Sequence, residues 1–247
     1  MADDNKPIKY LRYAIGEIVL VVIGILIAIQ LNNWAEHRKV RLLEKEYLIA
    51  LKTEFATNQN GAGASLTYQE YLISNAELIL KSCQQDTILP NAEYLVVAIE
   101  HVGWTYSISH IRDVWTELNS TGNLRIISDK SLRKSLTEFY RTMDGYFIEE
   151  KECASFNAGI RRILGEVLNP NLRLDINKKL NPHEYAGGVT NLPDQQLLIE
   201  RLNQLQGVKG YLVDIIEGRK TTMGWLRWEI SQMDTVLMAL DNELNKN

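Results

Sequence analysis

Apolar residues along this chain fall into one continuous block and then into a series of stripes. The block is residues 13–31 (YAIGEIVLVVIGILIAIQL), interrupted by a single charge at Glu17. Nineteen residues of α-helix rise about 28 Å, close to the ~30 Å hydrocarbon core of a bilayer. Tyr10 and Tyr13 stand at one end and Trp34 at the other, where interfacial aromatic rings are expected. A cleaved secretory signal needs a shorter apolar core and a small-x-small site after it, whereas this run ends in Ile29-Gln30-Leu31-Asn32-Asn33-Trp34. The block therefore predicts a transmembrane helix over 13–34, between a short tail (1–12) and an extramembrane region (35–247).

Beyond Trp34 the pattern stays helical. Val40, Leu43, Tyr47, Leu51 and Phe55 recur at three- and four-residue steps, predicting that the membrane helix continues outward as a stalk. The run Asn58-Gln59-Asn60-Gly61-Ala62-Gly63 reads as a turn or kink. Ser65 then caps a second helix reaching about Gln84, with Leu72, Ala76, Ile79 and Cys83 inward. Shorter helices are predicted over 92–103 and 110–121, the latter with Gly122 as its C′ residue.

Two longer seams follow. Alternating steps of four and three from Leu132 reach Leu136, Phe139, Met143, Tyr146, Glu150, Cys153, Asn157, Ile160, Leu164 and Val167, with only Glu150 and Asn157 polar. Ser128 is placed to cap that helix, Asn169-Pro170 ends it, and an irregular connection is expected to about residue 193. The same alternation runs from Leu212 through Ile216, Arg219, Met223, Leu226, Ile230, Met233, Leu237 and Leu240 to Leu244, broken only by Arg219. Strand signals are nearly absent. The fold class expected is all-α: a membrane helix continuing into an elongated antiparallel bundle with coiled-coil-like long helices. Strict heptads also suit pairing between subunits.

Charge changes the picture little. Residues 1–32 hold three acidic and three basic side chains, so the formal charge of −4 belongs to residues 33–247. No basic patch with interleaved aromatics appears, which argues against nucleic acid as a partner. Lys6, Lys9 and Arg12 before the span are balanced by Arg38, Lys39, Arg41 and Lys45 after it, so the basic flanks leave orientation open; the N-terminus is assigned to the cytoplasm. Within the span, Gly24 and Ala28 fall within about 20° of Glu17 on a helical wheel. A carboxyl group and two small residues on one stripe suit a self-association face. The competing reading is that Glu17, only about 6 Å inside the Tyr13 level, snorkels to the headgroups.

Candidate chemistry is sparse. His37, His101, His110 and His183 form no pair with metal-ligand spacing, and neither a nucleophile elbow nor a phosphate-binding loop is present. No catalytic, cofactor-binding or metal residue is assigned, and no enzyme is expected. Cys83 and Cys153 both lie on apolar stripes, where they read as small buried hydrophobes, and a disulfide between them is chemically allowed in an oxidising compartment. Glu150, Asn157 and Arg219 form a polar seam, a placement that more often sets register than carries a reaction. Residues 102–107, an aromatic-rich helix break, and 115–125, a helix-to-helix corner, stand out as candidate recognition surfaces, and capping and turn roles account for most of the second.

Two stretches carry a resemblance. Residues 13–34 (YAIGEIVLVVIGILIAIQLNNW) are similar to the start of a family of uncharacterised single-pass membrane proteins abundant in Bacteroidota, and residues 117–133 (ELNSTGNLRIISDKSLR) resemble a second block of that family. The resemblance implies a bacterial inner-membrane protein with a helical extramembrane domain and brings no activity with it; the orientation assigned above puts that domain in the periplasm. The function expected is a scaffold that self-associates or binds another envelope protein, with the lipid bilayer as its first partner. The alternative is a ligand or stress sensor that signals through a partner.

Overall fold

A computed structural model of the chain describes residues 6–85, 88–89, 91–105, 110–181, 184–185 and 187–246, with side chains throughout except at 6–14, 85, 147–153 and the four residues of a small β ladder. Helices make the fold: α1 (Lys6–Gln85), α2 (Ala92–His101), α3 (Asp113–Ser120), α4 (Lys130–Gly165), α5 (Pro170–Lys178), α6 (Gln195–Gln204) and α7 (Val208–Asn245). The class is all-α, as the stripes predict. The ladder, β1 (Leu180–Asn181) against β2 (Glu184–Tyr185), is two residues deep.

α1 is one helix of 80 residues, about 120 Å long at 1.5 Å per residue. Every side chain from residue 15 to 43 is exposed, Leu20 by 74 % and Ile18 by 63 %. Water does not tolerate a continuous apolar surface of that size. A bilayer does, because a helix satisfies all its own backbone groups. One long apolar helix near the N-terminus, none of its apolar window buried against the protein, fits a single-pass anchor.

From Glu44 onward the same helix becomes the spine of the bundle. Its buried stripe runs Glu44, Leu48, Leu51, Phe55, Asn58, Ala62, Ser65, Gln69, Leu72, Ala76, Ile79 and Cys83. The steps alternate four and three without a break. Two expectations are corrected here. Val40 and Leu43 are exposed, so the inward stripe of the stalk lies one position further on, at Glu44. The turn expected at residues 58–63 does not form, and Ser65 is a buried mid-helix residue rather than a cap. Asn58 and Ala62 face the core there, and packing of that face outweighs the weak helix propensity of the Asn and Gly residues.

α7 lies antiparallel to α1. Lys52 Nζ pairs with Asp241 at 2.5 Å, and Gln59 Nε2 donates to Asp234 at 2.6 Å. α4 runs in the direction of α1, since its start meets Glu44 and its Tyr140 meets Glu54. Two apolar clusters fill the space. The one nearer the anchor gathers Leu48, Leu51, Phe55, Trp115, Leu136, Phe139 and Leu240, with Trp115 stacked on Tyr140 at 4.6 Å. The far one gathers Ile79, Leu95, Ile99, Leu164, Ile176, Leu198 and Leu212.

Smaller elements also depart from the sequence reading. α4 is capped by Asp129, whose carboxylate accepts from Leu132 N at 2.8 Å, rather than by Ser128. Pro170 does not merely end a helix. It opens α5, with Asn169 accepting from Asn171 N at 2.8 Å, because a proline at the first helical turn forfeits no hydrogen bond. α3 starts at Asp113, three residues later than expected, and Gly122 takes the left-handed conformation that turns the chain after it (φ 72°).

Candidate functional site

The polar members of the α1 stripe are where the sequence and its packing come apart. Glu44, 1 % exposed, accepts from Ser128 N at 2.5 Å and from Arg41 Nη1 at 2.6 Å. Arg41 also donates to Ser128 Oγ at 3.1 Å, and that hydroxyl donates to Glu243 of α7 at 3.3 Å. Burial alone would raise the Glu44 pKa. The Ser128 and Arg41 hydrogen bonds outweigh it and hold the carboxylate below its ordinary value. Ten residues on, Glu54 accepts from Val114 N at 2.9 Å and from Tyr140 Oη at 2.5 Å. Burial first, and the Glu54 carboxylate second, push the Tyr140 pKa far upward, so the phenol stays a donor. One turn further, Asn58 donates to Ile111 O at 2.7 Å and accepts from Ile111 N at 2.8 Å. Three buried side chains of one helix thus grip the backbone at residues 111, 114 and 128.

A second network lies toward the far end. Arg219, 3 % exposed, donates from Nη1 to Gln69 at 2.8 Å and from Nη2 to the carbonyls of Val102 and Trp104 at 2.9 and 2.7 Å. Those carbonyls lie just past the C-terminus of α2, where the helix dipole favours a cation. Glu100 is fully buried and accepts from Arg173 Nε at 2.6 Å, Arg161 Nη2 at 2.9 Å and Asn177 Nδ2 at 3.1 Å. Burial would raise its pKa, but these donors prevail and lower it. His101 shares a 2.6 Å hydrogen bond with Tyr71 Oη. Desolvation drives its pKa down to about 4, against the opposing pull of Glu100.

Residues 102–107, singled out for their aromatics, contribute a close helix approach in the described part. A Cβ on Gly103 would sit 2.5 Å from Arg161 Cβ and 2.8 Å from Asn157 O. Arg161 in turn lies 4.7 Å over the Trp104 ring. G103A forces α2 and α4 apart and is expected to cost about 1–3 kcal/mol. A thermal melt of purified protein reads it, and an unchanged midpoint would mean the two backbones separate freely.

The other predicted residues scatter. Glu17, Gly24 and Ala28 lie on the uncovered part of α1, and a Cβ on Gly24 would meet nothing within 4 Å. Arg219 is buried and Asn157 half-buried, while Glu150 and Cys153 fall outside the described side chains. Cys83, read as one end of an allowed disulfide, is a free thiol in the far cluster, its pKa raised by burial. His183 lies outside the described residues, and His37 is exposed on the stalk. Among the described residues no three His, Cys, Asp or Glu side chains gather in a way that holds a metal ion. Sequence reasoning missed the buried pair His110 and Glu229, 2.5 Å apart. No signal of spacing marks it, since its partners are over a hundred residues apart.

The buried carboxylates are occupied by backbone N–H, Tyr and Arg donors, an arrangement that fixes positions. A surface cleft of about 320 Å³ between α1 and α7 carries freer groups: Glu70, Ser74, Glu77, Lys220 and Arg227 around Ile73 and Met223. Residues 17–153, 137 of the chain's 247, match the model of a family of unknown function (DUF6090). That span begins at Glu17 and includes both partners of the contacts Glu44–Ser128, Glu54–Tyr140 and Asn58–Ile111. No curated protein and no solved structure matches the chain.

Proposed function

The chain belongs to the family of unknown function DUF6090, and on that premise we propose that it is a membrane-anchored, non-catalytic interaction protein. Its helical bundle stands on one span in a bacterial inner membrane, with the bundle in the periplasm, and self-associates or binds another envelope protein through that span. The observation that carries this reading is the single helix α1, which joins anchor and bundle core without a hinge. Whatever holds the anchor fixes where the bundle stands. The face offered for contact carries Glu17, Gly24 and Ala28: the small residues permit close approach, and a carboxyl group in hydrocarbon requires a partner.

Solubilised full-length protein is expected to run as an oligomer in mild detergent, by light scattering after gel filtration. E17A lowers the assembly to monomer, and E17Q retains part of it because an amide still hydrogen-bonds across helices. A strictly monomeric wild type that captures no envelope protein would sink this reading.

A sensor is the second reading, favoured by the charged cleft at Glu70, Glu77 and Arg227, whose two glutamates stand on the helix that carries the anchor. A ligand there would bear directly on α1. A thermal-shift screen against metabolites and metals decides it, since a binder of the folded state raises the melting midpoint.

A further inference from the structure

The fold brings together basic residues that the sequence keeps apart. The first packed residue of α1, Glu44, sits ten positions beyond Trp34, about 15 Å along the helix. At that level lie the start of α4, bonded to Glu44 through Ser128, and the end of α7, where Lys246 Nζ reaches Glu243 at 2.8 Å and Asp129 at 3.8 Å. The anchor-side end of the bundle therefore consists of residues 33–46, 120–134 and 243–246. These segments carry nine Lys and Arg against five Asp and Glu, whereas residues 47–119 and 135–242 carry fifteen against twenty-three. The bundle is thus electrically polarised along its axis, positive toward the anchor.

Burial sharpens the asymmetry. Two of the five acids, Glu44 and Glu243, are 1 % and 6 % exposed and already hold Arg41 and Lys246. Arg38, Lys39, Arg41 and Lys45 on α1, Arg125 in the turn, and Lys130 and Lys134 on α4 are all exposed. Arg38 and Lys39 stand roughly 6–8 Å beyond Trp34, and the end of the bundle roughly 15 Å. Long basic side chains shorten that gap to within about one Debye length of the headgroups at physiological salt. Anionic lipid is the partner that this position and sign fit.

We propose that this end of the bundle is a lipid-facing collar, in which Arg125, Lys130 and Lys134 contact anionic phospholipid headgroups and seat the bundle on the membrane. The inference rests on the reading that residues 13–34 span the bilayer. Failure of that reading shows separately, as loss of protein from the discs described next.

The test uses the full chain with C83A and C153A, and a fluorophore attached through S131C, in nanodiscs containing a nitroxide-headgroup lipid. One set is phosphatidylcholine alone and the other contains about a third phosphatidylglycerol. Quenching is expected to be about twofold stronger in the anionic discs and to fall to the neutral-disc level in about 0.5 M salt. R125Q/K130Q/K134Q is expected to abolish the difference while leaving the circular dichroism melt unchanged. A fluorophore at K209C, roughly 60 Å further along the bundle, stays unquenched in both. Quenching indifferent to lipid charge, absent in both discs, or intact in the triple variant would overturn the proposal.

Discussion

Arg219→Leu is expected to destabilise the bundle by about 3–5 kcal/mol, the largest single effect of any substitution considered. Leucine fills much of the volume but leaves the carbonyls of Val102 and Trp104 and the Gln69 side chain without the donors that now reach them at 2.7–2.9 Å. Each orphaned acceptor in a dry interior costs about 1–3 kcal/mol. Relaxation and stray water recover part of that, which sets the range below the sum. Arg219→Lys keeps the charge but replaces a planar fork with a point donor, so it is expected to lose roughly half as much. For a chain of this size the leucine variant lowers the melting midpoint by on the order of 10 °C, followed by tryptophan fluorescence in detergent. A drop under about 1 kcal/mol would mean that α2 holds its place against α7 without the guanidinium.

Acid is expected to unfold the bundle earlier than its carboxylates alone would dictate. The folded chain holds His101 at a pKa of about 4, against about 6.5 in an unfolded chain. Between those values the unfolded chain takes up a proton that the native one refuses, so stability falls as pH drops through this window. The full effect is about 3 kcal/mol, reached near pH 4. Glu100 and Glu44 act lower down: their folded pKa values are depressed, so their contribution is present above about 4.5 and lost as pH falls through the lowered values. Urea titrations from pH 7 to pH 3 separate the two, because His101→Gln removes the upper window and leaves the lower one. A wild-type curve flat from pH 6.5 to pH 4.5 would rule out a buried neutral His101.

Much of this fold was legible in the chain. The long apolar helix, the long helices α4 and α7, and most apolar members of their seams follow from periodicity, although Ile230, Leu237 and Leu244 are half-buried beside the buried Glu229, Val236 and Glu243. What periodicity hid was α1 between Glu44 and Gln69, because its inward face mixes Leu48, Leu51 and Phe55 with Glu44, Asn58, Ser65 and Gln69. Polar residues at core positions erase the contrast on which the pattern depends. Glu44 and Asn58 answer distant backbone groups at Ser128 and Ile111, Gln69 answers the Arg219 side chain, and no local spacing encodes that. Asn58-Gln59-Asn60-Gly61 accordingly read as a break, although the helix continues through it. The cap of α4 was misassigned for a related reason: Ser128 and Asp129 are both good caps, and Arg41 and Glu243 on remote helices engage the Ser128 hydroxyl. The stripe of Glu17, Gly24 and Ala28 rests on spacing alone, on a surface that no other described part of the chain covers.

The hingeless passage from residue 34 to residue 44 ties height to heading. Each residue added there would lift the bundle by about 1.5 Å but swing it by about 100° about the helix axis. A single insertion would therefore point α4 and its lysines toward a different quarter of the membrane while scarcely raising them. Seven residues would restore the heading to within about 20°, at the cost of about 10 Å of height. Length in this segment acts as a compass setting, and only steps near seven residues leave it unturned.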